Sequence, residues 1–338
     1  MQNKFPDATW HADDIRSQLA QYHVLVVGDV MADRYIWGRV NRISPEAPVP
    51  IVEIEREETR PGGAANVAAN LIAYGVKVSL SGVIGTDLLA GQLRDACLRA
   101  GIDPFGLVED SNRPTTSKTR VLGNAQQMLR LDLESSSPIS PETEDELLRK
   151  IKSMPRWDAL ILEDYDKGVL NETLIQQLIQ LAHRLNTPVL VDPKFKNFFS
   201  YTGCTWFKPN LKELVTALQQ ADRNPTNEWV LNLVNHLRDQ MPHVYSLVTL
   251  SERGVLLIEP NADWTHLPAH VREIRDVSGA GDAVIAALAI GIILGLSPLE
   301  AARWANLAGG LACEELGVAP VSLDRLILEY HNLQKMLH

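Results

Sequence analysis

The segment DVSGAGDAV, residues 276–284, places a carboxylate directly behind residues with little or no side chain. Gly279, Ala280 and Gly281 allow their backbone N–H groups to approach a ligand closely, and the apolar run after them is typical of a helix. Amides at the first turn of a helix stabilise the negative charge of a phosphoryl group in transfer, and Asp282 is placed to accept the proton of an attacking hydroxyl. The spacing is compatible with phosphoryl transfer, in which Asp282 would be the base.

A simpler role for this segment is equally compatible with the short motif. Ser278 or Asp282 is also suited to cap the helix, and the glycines then only permit tight packing. The segment alone does not separate the two roles, so the elements that would position it have to be considered.

Those elements alternate between strands and helices. Apolar runs of strand length are separated by segments whose apolar residues recur at three- and four-residue steps, which predicts buried parallel strands joined by helices. Such alternation indicates an α/β fold with helices on both faces of the sheet and ligands at the carboxyl ends of its strands. The strand runs are YHVLVVGD, KVSLSGVIG, DALILED, TPVLVDP and VYSLVTLS, and the helical runs include GGAANVAANLIAYG, LLAGQLRDACLRAG, ETLIQQLIQLAHRLN, NLKELVTALQQ and AVIAALAIGIILGL.

Three segments follow a different, alternating pattern of apolar and charged residues: APVPIVEIERE, TSKTRVL and QMLRLDLE. This pattern predicts half-exposed strands in a small accessory sheet, which would act either as a lid that excludes water or as an ordinary edge extension. Ser140 and Pro141 are predicted to be the cap and the first residue of a later helix. The expected division is a core at 22–35, 62–109 and 135–332, a β-lid at 36–61 and 110–134, and an N-terminal extension at 1–21.

Composition excludes several classes of protein. The formal net charge of -10 disfavours nucleic acid and anionic membranes as partners, although a local basic pocket could still bind a phosphate. Cys97, Cys204 and Cys313 are widely spaced without a CxxC pair, and the histidines have no metal-ligand spacing, so neither disulfides nor zinc are expected. The N-terminus lacks the apolar core of a signal peptide. A cytoplasmic location is predicted.

Polar residues in the N-terminal half are suited to bind a polyol. In VVGDVMADRY a strand is predicted to end with Asp29 and Asp33, and Gly62 and Gly63 precede a helix. Sugar hydroxyls require paired acceptors and donors at such a strand end. The alternative is that the two aspartates only cap a turn.

These motifs resemble the signatures of the ribokinase-like (pfkB) carbohydrate kinases. Gly62, Gly63 and Asn66 match that family's N-terminal GG…N segment, and GAGD at 279–282 matches its C-terminal motif. The resemblance extends from about Tyr22 to the last helices. It implies a ribokinase-like three-layer α/β/α sandwich with a small β-sheet lid, and an ATP-dependent sugar kinase.

The family resemblance also implies a nucleotide and metal site. Asn210 and Glu213 in KPNLKEL resemble its N-x-x-E motif, which organises Mg²⁺ and the phosphates of ATP, whereas Lys208 departs from the residue common there and has no assigned role. Asp276 and Ser278 resemble positions linked to a monovalent cation, so activation by K⁺ is a further expectation. The remaining residues expected to contact the nucleotide are Thr249, Ser251, Gly254, Gly279, Gly281 and Asn306.

A more specific resemblance concerns the substrate. The stretch from Gly28 to Gly75 resembles the kinases that phosphorylate D-glycero-β-D-manno-heptose 7-phosphate at the anomeric oxygen, in the route to ADP-heptose and the lipopolysaccharide core. The segments DYDKGVL and VDPK also resemble them. They imply substrate contacts by Asp164, Lys167, Asp192 and Lys194. Because no HxGH-like signature is present, a separate phosphatase and a separate nucleotidyltransferase are expected, and a homodimer paired through the lid is expected.

A substrate phosphate has to be offset locally in an acidic protein, by basic side chains or by helix N-termini. The candidate residues lie in the predicted lid: Asn41 and Arg42 in a loop RVNRISPE, with Lys118, Arg120 and Arg130 in alternating segments. Each of them is equally compatible with a solvated charge on a strand.

Three functions are alternatives to a kinase for heptose 7-phosphate. A kinase of the same fold could act on an unphosphorylated sugar or a nucleoside, and a noncatalytic module could bind sugar without releasing ADP. A dinucleotide-dependent dehydrogenase shares the alternation of strands and helices, but VVGDVMAD lacks the GxGxxG turn that a pyrophosphate requires.

Overall fold

The structure is a computed structural model that describes residues 11–124, 126–221, 226–270 and 274–337. Residues 1–10 of the predicted N-terminal extension lie outside this range. The helices are α1 (Ala12–Leu19), α2 (Ala64–Tyr74), α3 (Leu88–Arg99), α4 (Pro141–Ser153), α5 (Glu172–Leu185), α6 (Leu211–Ala217), α7 (Asn227–Gln240), α8 (Ala280–Ile293), α9 (Pro298–Cys313) and α10 (Leu323–Leu337). The strands are β1 (His23–Gly28), β2 (Val30–Ile43), β3 (Pro50–Gly63), β4 (Lys77–Ile84), β5 (Asp103–Glu109), β6 (Ser117–Gly123), β7 (Gln126–Leu133), β8 (Ala159–Glu163), β9 (Val189–Asp192), β10 (Trp206–Phe207), β11 (Tyr245–Thr249), β12 (Val255–Ile258) and β13 (Trp264–Leu267).

The larger sheet has the strand order β13-β12-β11-β10-β9-β8-β1-β4-β5. In this spatial order, the seven strands β11, β10, β9, β8, β1, β4 and β5 are parallel to one another. Strands β12 and β13 run antiparallel to their neighbours. All five apolar runs predicted as parallel strands are confirmed. The parallel order brings the carboxyl ends of β1, β8, β9, β10 and β11 to one edge, where the predicted site residues follow them.

Helices cover both faces of this sheet because its strands are apolar on both sides. Along β1, Val24 and Val26 belong to one core with α2, α8 and α9, whereas Leu25 and Val27 belong to a second core with α5 and α7. Alternate side chains of a strand point to opposite faces, so continuous apolar runs are required here. The predicted three-layer α/β/α architecture is confirmed.

The end of β1 tolerates no side chain, which gives a prediction for stability. A Cβ atom on Gly28 would lie 1.9 Å from the backbone oxygen of Glu163 on the paired strand β8. We expect Gly28→Ala to lower the free energy of unfolding by about 1–3 kcal/mol, since relief requires the two strands to separate. Thermal melting followed by circular dichroism measures the effect. Gly91→Ala is the matched control, because nothing lies within 4 Å of that position in α3. Equal melting temperatures for the two variants would contradict the prediction.

Strands β3, β2, β6 and β7, in that order, form a separate four-stranded sheet, here called the small sheet. The alternating segments predicted as its strands are confirmed as β3, β6 and β7. Two local predictions are wrong: Asp33 lies inside β2 rather than at a strand end, and the predicted loop RVNRISPE is strand up to Ile43, so Asn41 and Arg42 lie on β2. Pairing with β3 extends this strand, since Val40 faces Val52 and Arg42 faces Ile51.

Two further sequence expectations concern individual helices. Ser140 accepts a hydrogen bond from the Thr143 N–H, and Pro141 is the first residue of α4, as predicted. The apolar run at 283–296 forms most of α8, a helix buried between the sheet and α9. Within the described ranges, no helix combines the length and the apolar character needed to cross a membrane.

Candidate active site

Asp282 lies in the first turn of α8, and its carboxylate is held by two side chains from other elements. Oδ2 accepts a hydrogen bond from the Asn66 amide at 2.6 Å, and Oδ1 accepts one from the Tyr165 hydroxyl at 2.7 Å. The residue that caps the helix is Gly279, with φ 78° and no side-chain cap bond. The simpler role of Asp282 as a helix cap is therefore wrong. Each carboxylate oxygen has two acceptor positions, so one position on each remains for a ligand proton.

The environment of Asp282 suits a group that exchanges protons near neutral pH. The residue is only 2% exposed, and this burial raises the pKa of its carboxyl to about 6. The hydrogen bonds from Tyr165 and Asn66 act in the opposite direction because they favour the charged form. A base with its pKa near the working pH combines correct protonation with sufficient basicity.

Asp282 belongs to a cluster of three buried carboxylates. Glu163, Asp192 and Asp282 each offer an oxygen within 4.8 Å of the others. Burial raises the pKa of Glu163 well above its usual range, and its Oε2 has no hydrogen-bond partner within the described part of the chain. The Lys208 ammonium, 2.7 Å from Asp192 Oδ2, offsets part of this negative charge. It also lies beside the glycine loop, 3.5 Å from the position of a Cβ atom on Gly281.

The carboxylates of Asp29 and Asp164 accept hydrogen bonds from residues in the loops that follow β8 and β9. The Asp29 carboxylate accepts backbone N–H bonds from Tyr165, Lys167 and Val169, and so fixes the loop that presents the Tyr165 hydroxyl to Asp282. Asp164 accepts hydrogen bonds from the Tyr201 hydroxyl and the Asn197 amide. Asp29 therefore caps a turn, whereas Asp164 is fixed by two side chains, and direct contacts to a sugar stay a prediction for both residues.

Close packing explains why the two residues before α2 are glycines. A Cβ atom on Gly62 would lie 2.6 Å from Asp33 Oδ2, and one on Gly63 would lie 2.4 Å from the Asp29 backbone oxygen. Gly63 also has φ 57°, which favours glycine. The two residues let β3 and α2 approach both aspartates closely, and this approach places Asn66 against Asp282.

Most of the residues predicted to contact a nucleotide line one cavity of about 350 Å³. The cavity lies between the turn after β11 and the beginning of α8, and α9 closes it. Asn306 on α9 is fixed by donating to the backbone oxygen of Pro268 at 2.7 Å. The predicted residues in its wall are Thr249, Ser251, Gly254, Ala280, Gly281 and Asn306.

The N-x-x-E residues lie beside this cavity but form a local structure of their own. Asn210 and Glu213 cap α6 reciprocally, each side chain accepting the backbone N–H of the other. The other Glu213 oxygen accepts from the Lys194 ammonium, which lies 5.4 Å from the centre of the Tyr165 ring. Contacts therefore continue from the N-x-x-E motif through Lys194 and Tyr165 to Asp282.

Asp276 organises the loop before the glycines. Its two oxygens accept the N–H groups of Ser278 and Gly317, both at 2.9 Å, and these bonds hold the pKa of Asp276 below its usual range although burial opposes them. The Ser278 hydroxyl accepts from Arg120 at 3.4 Å, and Arg120 also forms an ion pair with Asp33. The small sheet thus contacts the glycine loop through Arg120.

Three other residues predicted in the lid, Asn41, Arg42 and Arg130, have acidic partners on the small sheet within the described part of the chain. Arg42 lies 3.9 Å from Glu53, and the Asn41 amide donates to the same carboxylate at 3.4 Å. Arg130 forms an ion pair with Asp132 on its own strand at 2.9 Å. The structure does not bring these three residues to the base.

Three residues near Asp282 had no role in the sequence prediction: Glu163, Tyr165 and Lys208. Each lies at or just after the end of a buried strand, since Glu163 ends β8, Tyr165 is two residues beyond it and Lys208 directly follows β10. The signal that identifies them is this position at the carboxyl edge of a parallel sheet.

Two solved structures of kinases are similar to this chain in fold. Phosphofructokinase-2 from Escherichia coli, in complex with potassium, matches with a TM-score of 0.76 at 17% identity, covering 93% of this chain and 99% of that one. Ribokinase from Arabidopsis thaliana, complexed with ribose and ATP, matches with a TM-score of 0.68 at 19% identity, covering 90% and 98%. The class of fold is therefore the ribokinase-like sandwich predicted from the sequence.

Residues 21–325 match the model of the pfkB family carbohydrate kinases, and the chain belongs to that family. Two similar relatives are the bifunctional protein HldE of Magnetococcus marinus, 42% identical over 318 residues, and that of Pasteurella multocida, 42% identical over 311 residues. Each alignment covers 92% of this chain and 64% of the relative. The chain therefore spans less than two thirds of the length of these proteins. The enzyme class predicted from the sequence, a carbohydrate kinase, is confirmed.

The hydrogen bond from Tyr165 gives a prediction for pH dependence. A carboxyl that serves as the general base has to be ionised, so with Asp282 in that role kcat/KM should fall as the pH decreases through about 6, the raised pKa of this carboxyl. Tyr165→Phe removes a bond that lowers this pKa. The acid limb of the pH profile should therefore move to higher pH, while the KM for ATP stays unchanged. A profile measured from pH 5 to 8 tests this, and an unmoved acid limb would show that Tyr165 does not act on the base.

Proposed function

We propose that the chain transfers the γ-phosphoryl group of ATP to O1 of D-glycero-β-D-manno-heptose 7-phosphate, giving heptose 1,7-bisphosphate and ADP. One observation carries the proposal: a buried carboxylate, oriented by Asn66 and Tyr165, lies one residue beyond a glycine that lines the nucleotide-sized cavity. The proposed base and the proposed phosphoryl-binding amides are thus adjacent in the chain.

In this proposal ATP occupies the cavity lined by Thr249, Ser251 and Asn306, with its γ-phosphate at the amides of residues 279–281. The anomeric hydroxyl of the sugar lies beside Asp282, which accepts its proton as the oxygen attacks phosphorus. The amides at the beginning of α8 stabilise the charge of the equatorial oxygens. ADP leaves on the cavity side.

Hard oxygen ligands suit Mg²⁺, and Glu213 is the residue proposed to hold it. Both of its oxygens already accept hydrogen bonds, from Lys194 and from the Asn210 N–H, so contact through water fits better than direct ligation. Bound Mg²⁺ neutralises the phosphates of ATP and offsets charge in the transition state. K⁺ is proposed near Asp276, in line with the potassium complex of phosphofructokinase-2.

We also propose that the small sheet acts as a lid and pairs two copies in a homodimer. Its outer strand β7 exposes Leu129, Leu131 and Leu133, the second of them to 57%. Exposed apolar side chains in a row on an edge strand favour association with another surface. Closure of the small sheet over the sugar would limit hydrolysis of ATP by water.

The substrate and the pathway are supported by the relatives named HldE and by the resemblance of residues 28–75. The proposed product still carries a phosphate at position 7 and a new one at O1. Its conversion to ADP-heptose requires a phosphatase and a nucleotidyltransferase activity, and we propose that these reactions take place in the cytoplasm.

A substrate panel tests the proposal. ADP release is measured with heptose 7-phosphate, unphosphorylated heptose, ribose, fructose 6-phosphate and a nucleoside, and the product is identified by mass spectrometry and by phosphorus NMR. We expect heptose 7-phosphate to give the highest kcat/KM and a product with a phosphate on O1. Preference for an unphosphorylated sugar or a nucleoside would support the alternative kinase, and binding without ADP release would support a noncatalytic sugar-binding module.

A further inference from the structure

Two lysines from different parts of the fold converge on one carboxylate beside the proposed sugar site. Lys118 on β6 lies 3.4 Å from Glu134, and Lys167, in the loop after β8, lies 2.9 Å from the same carboxylate. Both side chains are mostly buried, with 19% and 16% exposed. Lys118 also lies 3.1 Å from Asp132. These contacts join the small sheet to the core.

The backbone around this cluster is fixed by a buried arginine. Arg113 donates to the backbone oxygens of Ser135 and Lys167, one on each side of the cluster. The Lys167 N–H in turn donates to Asp29 at 3.0 Å. Glu134 and Lys167 are therefore held near each other by contacts that do not depend on their own ion pair, as a preformed binding site requires.

The distance from the two lysines to the glycine loop at 279–281 and to Asp282 is compatible with one sugar phosphate that reaches both. Arg120 and Lys118 share one face of β6, and Arg120 contacts the Ser278 hydroxyl just before the glycines. Two residues along a strand span about 7 Å. On the core side, Lys167 is two residues from Tyr165, which bonds to the base, a separation of at most about 7 Å along the backbone. A ligand along β6 would place one end at the base and the other at the two lysines.

We propose that Lys118 and Lys167 form the subsite for the phosphate that the sugar substrate already carries, and that Glu134 occupies this subsite until the phosphate displaces it. The proposal rests on the proposed function and deepens it, since it explains how a sugar 7-phosphate is distinguished from an unphosphorylated sugar. A phosphate carries almost two negative charges and more acceptor oxygens than a carboxylate, so it pairs better with two ammonium groups. The released Glu134 carboxylate is partly exposed and can be hydrated.

Neutral variants of the two lysines test the subsite. We expect Lys118→Gln and Lys167→Gln each to raise the KM for heptose 7-phosphate about tenfold to a hundredfold, because each removes a charge-assisted hydrogen bond. The KM for ATP should not change. Lys118→Arg and Lys167→Arg should retain most of the affinity. Lys196→Gln is the matched control, since this nearby lysine donates to the Ser136 backbone oxygen and not to Glu134.

Glu134→Gln tests the displacement step separately. Removing the internal carboxylate charge should let inorganic phosphate inhibit at a lower concentration than in the wild-type enzyme, and this gain should disappear when Lys167→Gln is added. Melting temperatures of all variants identify any that are misfolded, and the comparison then uses the glutamine variant of the other lysine, since loss of either ammonium group should raise the KM.

Calorimetry with heptose 7-phosphate separates failure of the subsite from failure of the proposed reaction. Lysine-dependent binding of this sugar without ADP release would overturn the proposed function and support the subsite. Phosphorylation of heptose 7-phosphate with an unchanged KM in both glutamine variants would support the function and overturn the subsite. An equal loss of affinity for heptose 7-phosphate and for unphosphorylated heptose would also overturn it, because the lysines would then only hold the small sheet to the core.

Discussion

Replacing Asp282 by asparagine is expected to reduce kcat by about 10²–10⁴-fold, the usual contribution of a positioned general base. The new amide can keep one oxygen as acceptor for Asn66, and its NH₂ group can donate to the Tyr165 hydroxyl, so both partners retain a hydrogen bond. It cannot accept the proton of the sugar hydroxyl. Loss of turnover should therefore occur without loss of the fold. Steady-state ADP release measures the change.

Two measurements distinguish this loss from damage to the structure. The Kd for ATP and the melting temperature of Asp282→Asn should remain close to those of the wild-type enzyme, because a neutral side chain also avoids the cost of burying a charge. Asp324→Asn, at an exposed carboxylate on α10, should leave turnover unchanged. A kcat for Asp282→Asn within a few-fold of wild type would reject Asp282 as the base.

The parts of the fold that could be predicted from the sequence are those whose residue pattern follows from local burial alone. The buried runs of β1, β4, β8, β9 and β11 are apolar on both faces, so their pattern does not depend on partners. The glycine loop could be located for a similar reason, since a turn with positive φ followed by a carboxylate requires particular residue types. Both features are local.

The remaining features depend on which segments become neighbours. β10 has only two residues, Trp206 and Phe207, and is a strand only because β9 and β11 pair with it on both sides. The cluster of Glu163, Asp192 and Lys208 arises because β8, β9 and β10 are adjacent in the sheet, an order that no single segment encodes. The continuation of β2 to Ile43 likewise depends on pairing with β3. Long-range pairing therefore determines the electrostatics of the site.

Replacing Lys208 is expected to cause the largest loss in the free energy of unfolding. Its side chain is almost fully buried, and its ammonium lies 2.7 Å from Asp192, with the Glu163 and Asp282 carboxylates close to Asp192. Methionine has a similar length but no charge, so Lys208→Met leaves a buried carboxylate without its partner. Breaking a buried pair in this way costs about 3–5 kcal/mol. Denaturant unfolding at pH 7 should show a loss of that size.

The double variant Lys208→Met with Asp192→Asn separates the lost ion pair from a packing defect. Replacing both charged partners is expected to recover most of the stability, because no unpaired charge is left buried by the change. Lys152→Met, at an exposed position of α4, should change the free energy of unfolding by no more than about 0.5 kcal/mol. A double variant as unstable as Lys208→Met alone would mean that the lysine acts through its packing, and that the carboxylates beside the base do not need its charge.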